Sequence, residues 1–479
     1  RFRREVDFCS GVFLLLRRAA FGAVGGFDEA FAPAYSEDVD LCVRLREAGY
    51  RTLYEPDAVL RHYEFGSSAE RAVALQQLAR PRFVAKHEAW LARRPQPDLR
   101  NLLRGRTAER RGRQRILLVD DAVPHGWLGG GLPRARHLAL ALAARGRFLT
   151  LYTTAGAEPD WPAVRETLGA EVEVIAGSRA ALPSFLADRQ GCYDTIVVSR
   201  PHNMQAFNRH AEADPAGLRR VRLVYDAEAV FAVRGIRAAR LAGRPLAAEA
   251  AEAAIAEEIL LAARADQVLV VSEEEAEHFR ARVPAPVSVL AHAIAPRPGA
   301  AAFAQRRGLL FVGPLSEEGS PNVDAVTWFV TEILPLIRAR IGAVELRIAG
   351  RVTVPRIERL AGDGVHLLGT VQDLTALYEA SRLLVAPARF AAGVPAKVIE
   401  AGAHGLPAVA TGLLAHQLGW IPGTELLAAA DAASFADACI ELHEDPVTWD
   451  NLRQAALARV AADYAPEDFA AGVERILER

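Results

Sequence analysis

From Arg115 onward, short apolar runs alternate with amphipathic stretches, and this alternation constrains the fold more than any other feature of the chain. The first unit has an apolar run at 116–119, a glycine-rich loop at 126–131 and an amphipathic stretch at 134–145. Strands that alternate with helices form parallel sheets, because each helix carries the chain back to the same edge. A second series starts near Gly308. The pattern predicts an α/β fold with two doubly wound parallel-sheet domains, over residues 115–295 and 296–479.

The residues before this pattern form two further parts. Residues 1–95 make a separate unit, in which the apolar run 12–16 is predicted to be a buried strand. Residues 96–114 are rich in arginine and poor in apolar residues, which predicts a basic linker. The linker is either a solvated tether or a segment that contacts anionic lipid or a phosphate-bearing acceptor. The chain begins within a strand-like pattern and without methionine, so we expect it to be part of a longer protein.

Composition excludes several classes of function. The formal net charge of −2 is unlike that of a dedicated nucleic-acid-binding protein, so no nucleic-acid partner is expected. No apolar run approaches the roughly 18 residues of a transmembrane helix, and no signal-peptide pattern is present. The four cysteines are spaced neither as metal ligands nor as a disulfide framework. These features predict a reduced, cytoplasmic protein, with peripheral association at the inner face of the membrane left open.

The segment 389–401 is the strongest candidate for a binding site, because it follows a predicted strand and opens a predicted helix. Lys397 lies in the first turn, where it can add a positive charge to the affinity of a helix N-terminus for a diphosphate. Glu400 shares its face and can accept hydrogen bonds from both hydroxyls of a ribose. Gly313, in another strand-to-helix loop, would let the backbone approach the phosphates. On spacing alone, a surface ion pair between Lys397 and Glu400 explains the pattern equally well.

These residues resemble the nucleotide-sugar site of glycosyltransferase family 4, whose members have the GT-B fold of two Rossmann-like domains facing a cleft. The resemblance covers about residues 115–475, and its matching pieces are 311–313, 321–325, Gly369, 373–374, Tyr378, 385–387 and 402–407. It implies a nucleotide-diphosphate sugar donor, with Lys397 on the diphosphate and Glu400 on the ribose. Arg389 and Gly393 belong to the same predicted donor site. Members of the family typically transfer with retention and need no metal cofactor.

One position departs from the family pattern. Family members often carry a second glutamate eight residues before the ribose glutamate, where it contacts the donor sugar, and this chain has Ala392 there. Relatives with an Arg-Phe-x-x-Gly-Val signature, which this chain has at 389–394, also lack that glutamate. The departure therefore leaves activity open and leaves the identity of the donor sugar undetermined.

The first domain is predicted to supply the other wall of the cleft. Gly129, Gly130 and Gly131 follow its first strand, where they permit close approach of a phosphate or sugar or simply form a flexible turn. His202 follows another strand, and its placement resembles the family's histidine loop, which implies a catalytic contact with the donor sugar. A capping or solvent-exposed histidine is the structural alternative. The acidic residues in 226–228 are predicted to bind acceptor hydroxyls, to orient His202 or to cap the next helix.

Glu37 and Asp38 open a predicted helix in the first 95 residues, with Ser36 as its predicted N-cap. Acidic residues in a first turn are stabilised by the helix dipole, which is a purely structural explanation. A carboxylate fixed beside a sugar site can also act as a general base towards an acceptor hydroxyl.

Residues 1–95 resemble the C-terminal half of glycosyltransferase family 2, which has the GT-A fold, and rhamnosyltransferase-like members above all. The matching pieces are 9–11, 24–28, 37–41, 44–45, 49–50 and 62–64. The resemblance implies that Asp38 is a catalytic base, that Glu37 is its neighbour and that His62 is a ligand for Mg²⁺ or Mn²⁺ in a complete GT-A domain. The nucleotide-binding half of such a domain lies outside this sequence, so we expect this part to be inactive by itself.

Together these observations predict a glycosyltransferase that moves a sugar from a nucleotide-diphosphate donor to a glycan or lipid-linked acceptor, in bacterial cell-surface polysaccharide synthesis. Two alternatives stay open. One is a non-hydrolysing sugar-nucleotide epimerase of GT-B fold, which would form product from the donor alone. The other is a degenerate scaffold that binds a sugar nucleotide without turnover.

Overall fold

The computed structural model describes residues 2–62, 71–96, 98, 101 and 113–478. Most of the predicted basic linker at 96–114 lies outside these residues. The described part begins with a small unit in which strand β1 (Arg4–Glu5) pairs antiparallel with β2 (Leu53–Tyr54). Its helices are α1 (Arg18–Ala23), α2 (Glu37–Glu47), α3 (Ala72–Lys86) and α4 (Glu88–Leu91).

The predicted buried strand at 12–16 is wrong. Residues Gly11–Phe13 form a 3-10 turn in which the Ser10 hydroxyl accepts a hydrogen bond from the Val12 amide. Leu15 is 94% exposed. A strand needs a neighbouring backbone to satisfy its amide and carbonyl groups. Within the described residues, the only pairing of this unit is the short β1–β2 ladder, so the apolar run has no sheet to join.

The first half of the remaining chain is built on a seven-stranded sheet in which every pairing is parallel. The strand order is β5-β4-β3-β6-β7-β8-β9. The strands are β3 (Arg115–Asp120), β4 (Phe148–Thr153), β5 (Glu173–Ala176), β6 (Thr195–Ser199), β7 (Arg222–Glu228), β8 (Gln267–Val270) and β9 (Val287–Val289). The helices are α5 (Leu132–Ala143), α6 (Trp161–Leu168), α7 (Leu182–Asp188), α8 (Pro201–Ala213), α9 (Phe231–Leu241), α10 (Ala248–Leu260) and α11 (Glu273–Arg280).

The second half has a six-stranded parallel sheet in the order β12-β11-β10-β13-β14-β15. The strands are β10 (Leu309–Val312), β11 (Leu346–Ala349), β12 (Val365–Gly369), β13 (Leu383–Ala386), β14 (Ala408–Thr411) and β15 (Leu427–Ala429). The helices are α12 (Pro321–Trp328), α13 (Leu334–Ile341), α14 (Pro355–Glu358), α15 (Thr375–Ala380), α16 (Ala396–Ala403), α17 (Gly412–Leu418), α18 (Ala432–Glu444), α19 (Pro446–Asp463) and α20 (Pro466–Glu478). The predicted fold class, two doubly wound parallel sheets, is confirmed.

Local sequence signals explain how the helix after β10 is divided. Pro335 lies in the first turn of α13, and proline disturbs a helix because it lacks an amide hydrogen and its ring crowds the preceding turn. Just before it, a π-helical turn at Phe329–Ile333 separates α12 from α13. The N-cap of α12 is Ser320, whose hydroxyl accepts from the Val323 amide. Asn322 lies two residues later, and this leaves its amide available for the site described below.

The two halves lie against each other, and the final helix joins them. Helix α20 packs onto the first sheet, where Phe469 and Val473 share a core with Ile116 and Leu138. Glu474 on the same helix forms an ion pair with Arg147. Loops at the carboxyl ends of strands from both sheets face each other, with Gly129 next to Pro314 and Gly393 next to Ala229. We call the space between these ends the cleft, and ligands of open α/β sheets bind at such strand ends.

Candidate active site in the cleft

The wall formed by the second half brings Gly313 and Lys397 together. Gly313 directly follows β10 with a φ of +154°, and an added Cβ would lie 2.7 Å from Nδ2 of Asn322 and 2.9 Å from Nζ of Lys397. Lys397 lies in the first turn of α16 and donates a 2.6 Å hydrogen bond to Oδ1 of Asn322. Its Nζ is 4.3 Å from the ring centre of Phe311. A side chain at position 313 would therefore displace the ammonium group, which explains the glycine.

The ammonium group of Lys397 is hydrogen-bonded to a neutral amide and not to a carboxylate. Burial lowers the pKa of Lys397 to about 7, although the nearby Glu400 carboxylate opposes the shift. Lys397 bonds to Asn322, while Glu400 accepts a 3.2 Å hydrogen bond from the hydroxyl of Tyr378. The predicted alternative of a surface ion pair is therefore not observed. A partly buried lysine at a helix N-terminus without a bonded carboxylate is suited to bind an added anion.

Glu400 is held by Tyr378, which belongs to an aromatic pair. Tyr378 is almost fully buried, and its ring stacks on His404 with 4.6 Å between ring centres. Burial raises the pKa of Glu400, whereas the Tyr378 hydrogen bond and the Lys397 charge oppose the rise. The carboxylate is thus fixed one helical turn from Lys397.

The chain offers a direct test of the lysine pKa because it contains only two lysines, Lys86 and Lys397. After reductive methylation with ¹³C-formaldehyde, we expect one lysine signal to titrate near pH 7 and the other above the normal lysine range. The first is Lys397. The second is Lys86, whose pKa is raised by hydrogen bonds to Asp28 and Asp40 even though burial opposes the shift. The variant Lys86→Arg assigns the signals, and a normal lysine pKa for Lys397 would contradict the described environment.

Arg389 and Gly393, which the sequence assigns to the same site, shape the loop that leads into α16. Arg389 makes a two-pronged contact with Asp324, with 2.9 Å from Nε to Oδ2, and its guanidinium lies over Trp328. Gly393 has a φ of +72°, and its added Cβ would lie 3.1 Å from the Cβ of Ala229 in the first half. Direct contact of either residue with a donor stays a prediction.

The facing wall is organised around Asp121, which lies just beyond the end of β3. Its carboxylate accepts 2.6 Å hydrogen bonds from Nε2 of His202 and from Nη1 of Arg200. Asn203 adds a 2.9 Å bond from Nδ2. These contacts hold the pKa of Asp121 well below its usual range, although burial opposes the shift. His202 is therefore a fixed, oriented imidazole whose Nε2 is bonded to Asp121, so a ligand would have to contact Nδ1.

This arrangement corrects one sequence interpretation. The acidic residues at the end of β7 were candidates for orienting His202, but Asp121 does so. Asp226 instead forms a fully buried ion pair with Arg134, 2.8 Å long. The sequence does hold a signal for Asp121 and Arg200. Each directly follows a strand, and these two strands, β3 and β6, are neighbours in the sheet.

Arg200 and Glu228 adopt strained backbone conformations on this wall. Their φ angles are +75° and +59°, which residues other than glycine rarely adopt. The side chain of Arg200 lies 3.5 Å from both Glu228 and Asp120. Burial raises the pKa of Asp120 to about 6, although Arg200 opposes the shift. Backbone strain that is maintained by surrounding contacts is typical of functional sites.

The glycine loop after β3 fits between these groups. An added Cβ at Gly129 would lie 3.0 Å from Cδ of Pro314 across the cleft, and one at Gly131 would lie 2.6 Å from both carboxylate oxygens of Glu228. Gly130 has a φ of +72°. The loop therefore needs glycine at these positions for close packing. Contact of the loop with a donor stays a prediction.

Gly313→Ala should test the close approach at the lysine. The new methyl group would occupy the space of the Asn322 and Lys397 side-chain ends, so we expect donor affinity to fall about tenfold, corresponding to ~1.4 kcal/mol. Gly319→Ala is the matched control, since Gly319 also has a positive φ but has open space around its Cβ. Calorimetric titration of both variants measures the difference, and equal affinities would rule out the proposed crowding.

The candidate residues of the first unit make contacts within that unit. Asp38 accepts hydrogen bonds from the amides of Gly11, at 2.7 Å, and Val39, at 2.8 Å. Ser36 occupies the predicted N-cap position of α2, with a φ of +72°, but its side chain makes no capping hydrogen bond. The left-handed backbone of Ser36 accompanies this loss, and Asp38 bonds the Val39 amide instead.

The catalytic roles of Asp38 and Glu37 and the ligand role of His62 stay predictions. His62 is exposed at the edge of the described residues. In the described ranges, no group of three or more His, Cys, Asp or Glu side chains is arranged to hold a metal ion. Asp40 is bonded by Arg44, Lys86 and His87, which gives it a structural role.

None of the described helices is both long enough and apolar enough to cross a bilayer.

Two segments match family models. Residues 306–445 match the model of glycosyl transferases group 1, and residues 1–82 match that of glycosyltransferase-like family 2. Over 128 residues, the chain is 38% identical to N-acetylglucosaminyl-diphospho-decaprenol L-rhamnosyltransferase of Mycobacterium tuberculosis, covering 25% of this chain and 41% of that protein. Rhamnosyltransferase WbbL of Escherichia coli is 47% identical over 58 residues, 12% of this chain and 22% of that protein. The chain thus spans less than half the length of these relatives.

Solved structures resemble the two-sheet part of the chain. Sucrose-phosphate synthase from Thermosynechococcus elongatus gives a TM-score of 0.60 at 20% identity, over 76% of this chain and 98% of that structure. HepE from Anabaena, in complex with UDP-glucose, gives 0.56 at 16% identity, over 76% and 99%. At these identities the likeness establishes the fold, and it agrees with the resemblance drawn from the sequence.

Proposed function

We propose that this chain, which carries segments of two glycosyltransferase families and two sheets in the GT-B arrangement, transfers a sugar from a nucleotide-diphosphate donor bound in the cleft. The observation that carries the proposal is Lys397, a partly buried ammonium group at a helix N-terminus that bonds Asn322 and whose pKa is lowered to about 7 by desolvation. A cation of this kind is stabilised when a diphosphate supplies negative charge.

The remaining parts of a donor fit around this group. The N-terminus of α16 and Lys397 would bind the diphosphate, and Glu400, fixed by Tyr378, would accept hydrogen bonds from the ribose. The sugar would then lie towards His202 on the facing wall. We propose that His202 contacts the sugar near its anomeric carbon, where positive charge develops as the bond to the leaving diphosphate breaks.

We further propose that transfer proceeds with retention and without a divalent metal. In this proposal Lys397 and the helix dipole stabilise the leaving diphosphate, which is the task that metal ions perform in many transferases. HepE was crystallised with UDP-glucose, so uridine nucleotides are the first donors to test.

The acceptor is proposed to be a glycan or a lipid-linked sugar in bacterial cell-surface polysaccharide synthesis. The support is the relative whose name specifies N-acetylglucosaminyl-diphospho-decaprenol, a lipid-linked acceptor. An acceptor of this kind would bring the protein to the inner face of the membrane.

The proposal is tested by screening nucleotide sugars for stabilisation of the protein and then for transfer. A donor at 100 times its Kd should raise the free energy of unfolding by about 2.7 kcal/mol. A positive donor is then incubated with candidate acceptors, with and without EDTA, and the anomeric configuration of the product is read by NMR. Product from donor alone would favour the epimerase, and binding without turnover across acceptors would favour the scaffold. Stabilisation by no nucleotide sugar would overturn the proposal.

A further inference from the structure

The loop at 389–395, which leads into α16, is held by side chains of the other half of the protein. Arg237 on α9 donates a 2.8 Å hydrogen bond from Nη1 to the carbonyl of Ala391. Glu275 on α11 accepts a 2.8 Å hydrogen bond at Oε1 from the amide of Gly393. Two backbone groups of one short loop are thus bonded by charged side chains that lie across the cleft.

Glu275 is placed to connect the two halves. It is buried, and its second oxygen accepts a 2.7 Å hydrogen bond from the amide of Val230 in the first half. Burial raises the pKa of Glu275, while the amides of Val230 and Gly393 oppose the rise. One carboxylate therefore binds the backbone of both halves. Arg237 is oriented in turn by Glu274, with 3.1 Å between Nη2 and Oε1.

A third contact comes from the segment that joins the halves. The buried ring of His292 forms a hydrogen bond with the backbone of Val394. Burial lowers the pKa of His292 to about 3, so the ring is neutral at physiological pH. On the opposite side, Arg389 is fixed by Asp324 within the second half. The loop is therefore fixed at both ends and at its centre.

The chemistry of the loop makes its position important for the donor. Residues 391–393 are Ala, Ala and Gly, so the only hydrogen-bonding groups they can offer a ligand belong to the backbone. Backbone groups recognise a ligand effectively only when they are held in place before it arrives. Lys397 follows the loop by two residues, so a shift of the loop also shifts the start of α16.

We propose that Glu275 and Arg237 are positioning residues that set the donor site from the opposite half of the protein. The inference rests on the proposed function, because it assigns these residues to the affinity for a nucleotide sugar. Its consequence is that the donor site is complete only when the two halves are in contact.

The test compares Glu275→Gln and Arg237→Met with matched controls on the same helices. The glutamine cannot accept hydrogen bonds from both amides, and the methionine cannot donate to Ala391. Glu273→Gln and Arg240→Met are the controls, since both residues are exposed. We expect the Kd and KM for the nucleotide sugar identified by the screen to rise about tenfold or more in the two variants, with an unchanged KM for the acceptor. The controls should stay within about twofold.

Hydrogen exchange gives a readout that needs no ligand. The peptide covering 389–396 should exchange faster in Arg237→Met than in Arg240→Met, even if Glu275→Gln folds poorly. A wild-type donor affinity retained by folded Glu275→Gln and Arg237→Met would overturn the inference while leaving the proposed function intact. Failure of the wild-type protein to bind any nucleotide sugar would instead overturn the proposed function. A lower melting temperature without a change in donor Kd would indicate a structural role only.

Discussion

Replacing Lys397 with methionine is expected to lower donor affinity by about 30- to 1000-fold, which corresponds to roughly 2–4 kcal/mol. Methionine retains much of the buried length of lysine but cannot neutralise a diphosphate. The same change should stabilise the protein without ligand, because burial of the lysine opposes its charge. Binding and stability should therefore change in opposite directions, which a change that merely damages the fold cannot produce.

The pH dependence of this stabilisation has a defined sign. The folded-state pKa of Lys397 is lowered from 10.5 to about 7, so between these values the unfolded chain binds more protons than the folded one. The cost of burying Lys397 is therefore full below pH 7 and disappears as the pH approaches 10.5. The melting temperature of Lys397→Met should exceed that of the wild type most at pH 6. The measurements are calorimetric titration with donor and melting curves at pH 6, 8 and 10.

Two outcomes would contradict this prediction. Donor affinity within about twofold of the wild type would remove Lys397 from the donor site. A loss of affinity accompanied by a lower melting temperature at every pH would indicate damage to the fold. Lys86→Met serves as the control for loss of a lysine, because Lys86 lies in the first unit and bonds Asp28 and Asp40.

The second large effect is expected at the facing wall. His202→Ala should lower kcat about 10²- to 10³-fold with a small change in donor Kd, because a contact to developing charge acts mainly in the transition state. Asp121→Asn should lower kcat by a smaller factor, since the asparagine side chain can still contact the imidazole of His202 but lacks the negative charge that orients it. Steady-state kinetics with the donor found by screening measure both effects.

The double variant distinguishes a shared role from two separate ones. If Asp121 acts through His202, adding Asp121→Asn to His202→Ala should cost little more than His202→Ala alone. His366→Ala is the control for loss of a histidine, since His366 is half-exposed on β12. A kcat for His202→Ala within about threefold of the wild type would exclude the imidazole from the reaction.

Much of the second wall was predictable because its signals are local. Lys397 and Glu400 are three residues apart on one helix, and a strand before that helix fixes which end of the sheet it faces. Gly313 follows a strand in the same way. The role of Asn322 was not predictable, because asparagine is a favourable capping residue and in sequence looks the same at the cap as two positions beyond it. Ser320 takes the cap, and Asn322 bonds Lys397 across 75 residues of chain.

The facing wall was predictable only in part. The position of His202 after a strand indicated a site, but its partner was sought in residues 226–228, which are closer in sequence. The actual partner, Asp121, is 81 residues away and becomes a neighbour because β3 and β6 are adjacent in the sheet. The prediction of a strand at 12–16 was wrong for a related reason. Composition indicates that a segment can form a strand, but it does not show whether a neighbouring strand is present to pair with it.

Sequence alone was enough to predict the two parallel-sheet domains, because periodicity depends only on local geometry. It also predicted Gly313, Lys397, Glu400 and His202 as candidate site residues, from their spacing after strands together with the family resemblance. The tertiary structure alone decided that Asp121 orients His202, that Asn322 bonds Lys397, and that Glu275 and Arg237 hold the loop before α16. Each of these contacts joins residues distant along the chain, and its existence depends on strand order and on how the two halves pack, which no local pattern specifies.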